Sequence, residues 1–213
     1  NTKNFDSDLL DRNVEVFGTL DGPYQSLLQV LARRQKTLFA GQTFDLDQQE
    51  IGFAINPSGN VRLRFNGLFG DQIDFTNAQL AKIEQYNPGV QLRLGQHMNL
   101  QLAHILQTLD VPGGRLFTAN QTEVRMFYQF NVRTFVRLIV QYLDLDQTPR
   151  LFLDPTTPAH QEQSFAQFLF SYKLNPQTVL FAGYTDDRFG FGNINLTQTD
   201  RTFFLKLGYA LLY

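Results

Sequence analysis

The sequence predicts an all-β protein: an antiparallel transmembrane β-barrel with about twelve strands in this chain. Three observations lead to that prediction. Alternating segments of about ten residues recur along the chain, the connections between them alternate in length, and the last segment is apolar along one face. Side chains of a strand point to opposite faces in turn, so a wall between lipid and a polar lumen alternates apolar and polar residues.

The predicted strands are bounded by Gly, Pro, Asn and Asp, and helical periodicity is hard to find. Their length is near the roughly 9–11 residues that a tilted strand needs to cross a bilayer. We place them at 13–20, 25–34, 37–44, 50–56, 61–70, 89–95, 98–109, 122–130, 133–143, 164–173, 177–186 and 201–213.

The connections are predicted to alternate between short and long in the last seven strands. Long polar stretches lie at 71–88, 110–121, 144–163 and 187–200, and tight turns lie near Gly95, Asn131 and Asn175. Outer-membrane barrels have short periplasmic turns and long external loops. The pattern therefore predicts that both ends of the chain lie in the periplasm.

The last predicted strand separates its residues by face most clearly. The odd positions, all apolar or aromatic, are Phe203, Leu205, Leu207, Tyr209, Leu211 and Tyr213, whereas Lys206 and Gly208 lie on the even face. The ending resembles the C-terminal signal of bacterial outer-membrane barrels, carried here by Lys206, Gly208, Leu211 and Tyr213. That resemblance implies recognition by the barrel assembly machinery.

Composition is consistent with this fold and excludes several others. The 213 residues are 43% hydrophobic, and no run approaches the roughly 18 apolar residues of a membrane helix. There is no cysteine, so no disulfide or thiolate metal site forms. The net charge of -2, without a basic tail, argues against nucleic acid as a partner. No cofactor is expected, and the pattern does not name a small-molecule ligand.

From about Val61 onward, the chain resembles a family of bacterial outer-membrane proteins of unknown function. Its longer members carry an N-terminal module like a carbohydrate-binding family nine domain. The resemblance rests on Gly114–Ala119, Tyr128–Ile139, Leu169–Phe181, Gly183–Tyr184 and Arg201–Lys206. It implies a barrel in the outer membrane, in contact with lipid and lipopolysaccharide. Residues 1–213 are then one barrel domain, and because the chain starts at Asn1 we expect it to be the C-terminal portion of a longer protein.

Arginines recur on the predicted lumen face, namely Arg62, Arg64, Arg93, Arg125 and Arg137. A charge facing lipid at the bilayer midplane costs roughly 2–4 kcal/mol, so these side chains should point inward. One interpretation is a pore that attracts anions. The other, which the sequence favours slightly, is an interior network that pairs arginine with Glu and Gln.

Other polar residues offer weaker signals. The three histidines, His97, His104 and His160, are not spaced as a metal pair on a strand, and no metal site is expected. The acid pairs of the polar stretches, such as Asp144 and Asp146, suit Ca²⁺ or bridging to lipopolysaccharide, but are more often solvated turns.

Two further functions stay open at this point. Some members of the similar family are labelled membrane-associated hydrolases, although no Gly-X-Ser-X-Gly motif or other catalytic motif is found. A soluble β-sandwich that binds carbohydrate also has alternating strands. The sequence favours a non-enzymatic channel, or an anchor for an exported domain, in the bacterial outer membrane.

Overall fold

The computed structural model describes residues 2–3, 9–154, 156–175 and 177–209, which form one antiparallel sheet of twelve strands. Each strand pairs with its sequence neighbours, so the order in space is the order in the chain. The strands are β1 (Thr2–Lys3), β2 (Leu9–Gly22), β3 (Ser26–Phe39), β4 (Gln42–Ser58), β5 (Val61–Asp74), β6 (Gln79–Leu94), β7 (Met98–Val111), β8 (Gly114–Asn131), β9 (Thr134–Gln147), β10 (His160–Asn175), β11 (Thr178–Phe191) and β12 (Ile194–Tyr209). The all-β prediction is confirmed.

The strand count of twelve agrees with the prediction, but one predicted strand is wrong. Residues 37–44 do not form a strand of their own, because Ala40 and Gly41 make a turn between β3 and β4. Both residues have positive φ, 51° and 76°, as two-residue hairpin turns of this kind require. The twelfth strand is instead β1, which has only two residues.

The predicted alternation of short and long loops is also wrong. The stretches 71–88, 110–121 and 187–200 are mostly strand, and they turn within 75–78, 112–113 and 192–193. Only 144–163 contains a long connection, the segment 148–159 between β9 and β10. From β2 to β12 the strands run for 14 to 18 residues, longer than the roughly 9–11 needed to cross a bilayer.

The two faces of the sheet can be followed across the strands by cross-strand pairing. Arg64 lies opposite Gly89, Gln91 opposite Gln101, and Gln101 opposite Arg125. We call this side the arginine face. The other side carries Leu63, Val90, Leu102, Val136 and Phe203 along most of its length, and we call it the aliphatic face.

Polarity reverses between the faces at one end of the sheet, the end with the turns at 40–41, 75–78, 112–113 and 192–193 and the segment 148–159. We call it the acidic end. In β6, Ala81 and Ile83 are buried on the arginine face, whereas Lys82 and Glu84 lie exposed on the other. The reversal explains the wrong loop prediction. Charged residues such as Lys82 and Glu84 lie there on the face that is apolar in the middle of the strand, so the segment does not match the alternation expected of a membrane-spanning strand.

Two apolar clusters form at the acidic end. One consists of Ala81, Ile83, Leu109, Val111 and Leu116, and the other of Phe44, Leu46 and Ile73. The segment 148–159 packs on the first cluster through Leu151 and Phe152. It is also held by hydrogen bonds from Thr148 N to Leu116 O, 2.9 Å, and from Asn77 Nδ2 to Leu151 O, 3.0 Å. The long connection therefore folds back onto the sheet.

The outer strands leave sheet edges. Within the described residues, β12 has β11 as its one partner, and at the other edge β1 covers β2 only at its start. Among these residues, no helix has the length and apolar character needed to cross a membrane.

Candidate functional site

The five arginines singled out from the sequence all lie on the arginine face. Arg62 pairs across β5 and β6 with Gln91, and Arg93 pairs with Asn99 of β7. Arg137 of β9 lies opposite Phe127 of β8. Phe127 and Arg125 are two residues apart and share a face, so Arg137 lies on that face as well. All five side chains are exposed. The sheet thus gathers charges from four strands on one side.

Some of these arginines are paired and others are not. Arg125 Nε lies 2.7 Å from Glu123 Oε1, and Glu123 also accepts a hydrogen bond from Gln141 Nε2. Arg137 Nη2 donates to Gln167 Oε1 at 3.0 Å. On β3 of the same face, Arg33 pairs with Glu15 at 2.7 Å and with Glu50 at 3.5 Å. These contacts form the kind of Arg–Glu–Gln network that was one of the two sequence interpretations.

Arg62 and Arg93 belong instead to an open cleft. It has a volume of about 470 Å³ and lies near the turns at 23–25 and 59–60; its polar lining includes Gln25, Asn56 and Gln91. Neither arginine forms an ion pair within the described part of the chain. Arg64 lies over Gly89, where an added Cβ would come within 2.5 Å of Arg64 Nε. Glycine there gives the guanidinium room to lie flat on the sheet.

Two of the histidines bind single polar partners. His97 Nδ1 lies 2.7 Å from the carbonyl oxygen of Gln129, and His104 Nδ1 lies 2.9 Å from Thr122 Oγ1. Neither contact involves a carboxylate. These two residues make no arrangement suited to proton transfer or metal binding.

His160 has different neighbours, and sequence reasoning missed this arrangement. Its Nδ1 lies 2.8 Å from Asp146 Oδ1 and 3.6 Å from Asp144 Oδ1, and its Nε2 lies 3.7 Å from Glu162 Oε1. We call these four residues the His160 cluster. The hydrogen bond with Asp146 is the main reason that the pKa of His160 is raised. The available signal was the spacing of two in Asp144–Asp146 and in His160–Glu162, on strands that flank the long connection.

The carboxylate of Asp186 in β11 has several partners at the acidic end. The buried Asp186 accepts hydrogen bonds from Arg188 Nε at 2.6 Å, from Tyr184 Oη at 2.8 Å and from Arg201 Nη2 at 3.2 Å. The hydrogen bond from Arg188, followed by that from Tyr184, lowers the pKa of Asp186. This carboxylate is fully satisfied by its surroundings.

The predicted C-terminal signal is only partly covered by the structure. Lys206 and Gly208 lie in β12 on the arginine face, opposite Phe181 and Val179. Leu211 and Tyr213 lie outside the described residues. The signal therefore stays a prediction.

The fold is that of the outer-membrane β-barrels. The chain is similar to in-vitro folded OmpT, an outer membrane protein of Vibrio cholerae, with a TM-score of 0.55 and 13% identity over 92% of this chain and 63% of that one. Outer-membrane expressed OmpT of Vibrio cholerae gives a TM-score of 0.51 and 11% identity over 87% and 64%. The chain thus spans less than two thirds of the length of these structures.

No family model matches the sequence, and no curated protein matches it. The likeness to solved structures concerns the fold alone, at 11–13% identity.

Proposed function

We propose that this chain forms part of the wall of a bacterial outer-membrane β-barrel that acts without enzymatic chemistry, as a channel or as an anchor for an exported domain. The observation that carries the proposal is the difference between the two faces along the middle of the long strands. Aliphatic and aromatic side chains cover one face, whereas the other carries arginine, glutamine and glutamate from β3 to β9 and, from β10 to β12, polar residues such as Gln167 and Lys206 among apolar ones. This is the arrangement of a wall with lipid outside and a polar lumen inside.

Exposure of the aliphatic face supports contact with lipid. On β12, Phe203 is 77% exposed, Leu205 74% and Leu207 64%. In a soluble sandwich this face would be packed against a second sheet, whereas the described residues form one sheet. An apolar surface of this extent needs an apolar partner, which the bilayer provides.

The strand lengths support a wall that extends beyond the membrane. The middle of each strand is long enough to cross the bilayer, and the acidic end then projects on one side of it. In the proposed orientation the acidic end, which carries the long connection 148–159, faces outward near lipopolysaccharide, and the turns near Gly95 and Asn131 at the opposite end face the periplasm. Assembly through the terminal strand by the barrel assembly machinery belongs to the same proposal.

We also propose that the barrel is larger than this chain and that residues 1–213 form its C-terminal portion. A closed barrel leaves no unpaired edge in the membrane, because free backbone groups are costly there. The edge of β12, which has no partner beyond β11 among the described residues, supports further strands, as does the greater length of the structures that the chain resembles.

The arginine face favours the channel over the anchor. Arg62 and Arg93 line a cleft without carboxylate partners, so they would add positive potential to the lumen. The segment 148–159 packs on the apolar cluster at the acidic end. A lumen with these features would pass small anions.

Planar-bilayer recordings of the full-length protein test the channel. We expect steady conductance with a preference for anions, and Arg62→Gln with Arg93→Gln should lower that preference without abolishing the current. Lys36→Gln, at the acidic end and paired with Asp45, is the matched control and should leave selectivity unchanged. The absence of any steady conductance would favour the anchor, and recovery of native protein without detergent would exclude both.

A further inference from the structure

The His160 cluster brings three carboxylates together without a lysine or arginine among them. Asp45, Asp47, Asp71, Asp110 and Asp186 each lie within 4.0 Å of a lysine or arginine nitrogen. In the described part of the chain, Asp144, Asp146 and Glu162 form ion pairs with His160 alone. Three carboxylates therefore face one imidazole, so the cluster is negatively charged whatever the state of the histidine.

The strand register brings the four side chains onto one face. Asp144 lies directly opposite Glu162, and Asp146 directly opposite His160, in the pairing of β9 with β10. Directly opposite residues have Cβ atoms about 4.5–5.5 Å apart, and residues two apart share a face. The four groups thus occupy the corners of a small square on a regular part of the sheet.

The neighbouring strands do not supply a missing cation. On β8, Asn120 lies opposite Asp144 and Thr118 opposite Asp146. On β11, Gly190, which has no side chain, lies opposite Glu162. The residues in register on both sides are therefore neutral.

One oxygen of the cluster lacks a partner. Asp144 Oδ1 is shielded from solvent and accepts no hydrogen bond, and its distance of 3.6 Å from His160 Nδ1 is too long for one. Leaving a shielded charged oxygen unsatisfied costs free energy. Tyr142 Oη satisfies Glu162 Oε1 at 2.6 Å, so the deficit is centred on Asp144.

We propose that the His160 cluster binds one divalent transition-metal ion, of which Zn²⁺ is the best suited. One ligand atom from each of Asp144, Asp146 and His160 lies within 4.8 Å of the others. Atoms bound at about 2.0–2.2 Å to one ion are at most about 4.4 Å apart, so small side-chain rotations bring them into range. Glu162 lies at the other ring nitrogen, 3.7 Å from Nε2, so the protein offers three ligands and water can take the fourth position.

The mixed ligand set decides the kind of ion. An imidazole nitrogen suits Zn²⁺, whereas a site made only of oxygens would suit Ca²⁺ or Mg²⁺. The cluster lies on the outer side of the acidic end, where an ion reaches it directly from solution. The site does not depend on the proposed channel.

Calorimetric titration with ZnCl₂ of the full-length, metal-stripped protein in detergent tests the site. We expect Zn²⁺ to bind with one ion attributable to this cluster, and Asp144→Asn and His160→Ala each to weaken that binding at least about tenfold. Zn²⁺ should also raise the thermal unfolding temperature of the natural protein. Asp186→Asn, which alters the carboxylate paired with arginines, is the matched control and should bind Zn²⁺ unchanged.

Three results would overturn the site: no Zn²⁺ binding, binding that His160→Ala leaves unchanged, or Ca²⁺ binding as tight as that of Zn²⁺. Circular dichroism would establish that each variant is folded, and His160→Gln replaces His160→Ala if the latter fails to fold. Conductance measured on the same preparation tests the channel separately, because a protein that does not bind Zn²⁺ can still conduct, and one that does not conduct can still bind Zn²⁺.

Discussion

The middle of the sheet and its acidic end use the same strands with opposite polarity. In the middle of β6, Val90 lies on the aliphatic face and Gln91 on the arginine face. Toward the acidic end of the same strand, Ala81 and Ile83 lie buried on the arginine face, and Lys82 and Glu84 lie exposed on the other. Strand β9 shows the same change between Val136 and Asp144.

The difference follows from the two environments proposed for the strands. A segment in lipid needs apolar side chains outside, and a segment in water buries them inside. The level at which the phase changes therefore marks the proposed boundary of the bilayer. Tyr86, Tyr142 and Tyr184 lie on the aliphatic face near this level, where aromatic residues of membrane proteins are enriched.

Truncation of a leucine should give the largest difference between the two regions. Leu116, in the cluster at the acidic end, is 2% exposed, whereas Leu207, on the aliphatic face of β12, is 64% exposed. We expect Leu116→Ala to lower the free energy of unfolding by about 2–5 kcal/mol through the cavity it leaves. Leu207→Ala should cost less than about 1 kcal/mol. Urea unfolding in lipid vesicles measures both, and equal losses would contradict the reversal of the faces.

A new positive charge should distinguish the two levels of one strand face. Val90→Arg places a guanidinium on the aliphatic face and should destabilise the protein in vesicles by roughly 2–4 kcal/mol. Glu84→Arg, on the same face of β6 at the acidic end, should change stability by no more than about 0.5 kcal/mol. The same unfolding assay applies. A comparable loss for both would place Glu84 in the membrane and move the boundary toward the turn at 75–78.

The smallest expected effect concerns the carboxylate of Asp186 at the acidic end and appears through pH. The pKa of Asp186 is lowered from 3.8 by its hydrogen bonds with Arg188 and Tyr184, so its ionised form stabilises the fold. This contribution is fully present above the unfolded pKa and is lost as pH falls through the folded pKa. Asp186→Asn should therefore unfold at a lower temperature than the natural protein near neutral pH.

The gap in unfolding temperature should close in acid, once Asp186 is protonated in the natural protein as well. Thermal scans of both proteins across the acid range check this. A gap of constant size would show that Asp186 acts through packing and not through its charge.

Prediction from sequence succeeded where apolar and polar residues alternate in the same phase along a whole strand. In β12, alternation placed Phe203 and Leu205 on one face and Lys206 on the other, and the pairing with β11 agrees. Arg62, Arg64 and Arg125 also lie on one side of the sheet, because residues two apart share a face and tight turns preserve the register; that this side lines a lumen stays a prediction. The antiparallel order also followed, since short connections join neighbouring strands.

Prediction failed where charged residues or a two-residue turn interrupt the alternation of apolar and polar residues. The polar stretch 71–88 looked like a loop because the charged residues Asp71 and Lys82 interrupt the expected pattern, yet these two residues pair across β5 and β6. Ala40-Gly41 was missed because a two-residue turn between two alternating segments looks like one more alternating segment. Neither error is visible without the partner strand.

The sequence by itself determined the antiparallel strands and the separation of their faces in the middle of each strand, because alternation is a local property of the backbone. Only the tertiary structure decided the reach of the strands past the bilayer-length segments, the folding of 148–159 onto the sheet, and the meeting of His160 with Asp144 and Asp146. These features depend on the register between strands that a long connection separates. Register is set by cross-strand packing, which no single segment contains.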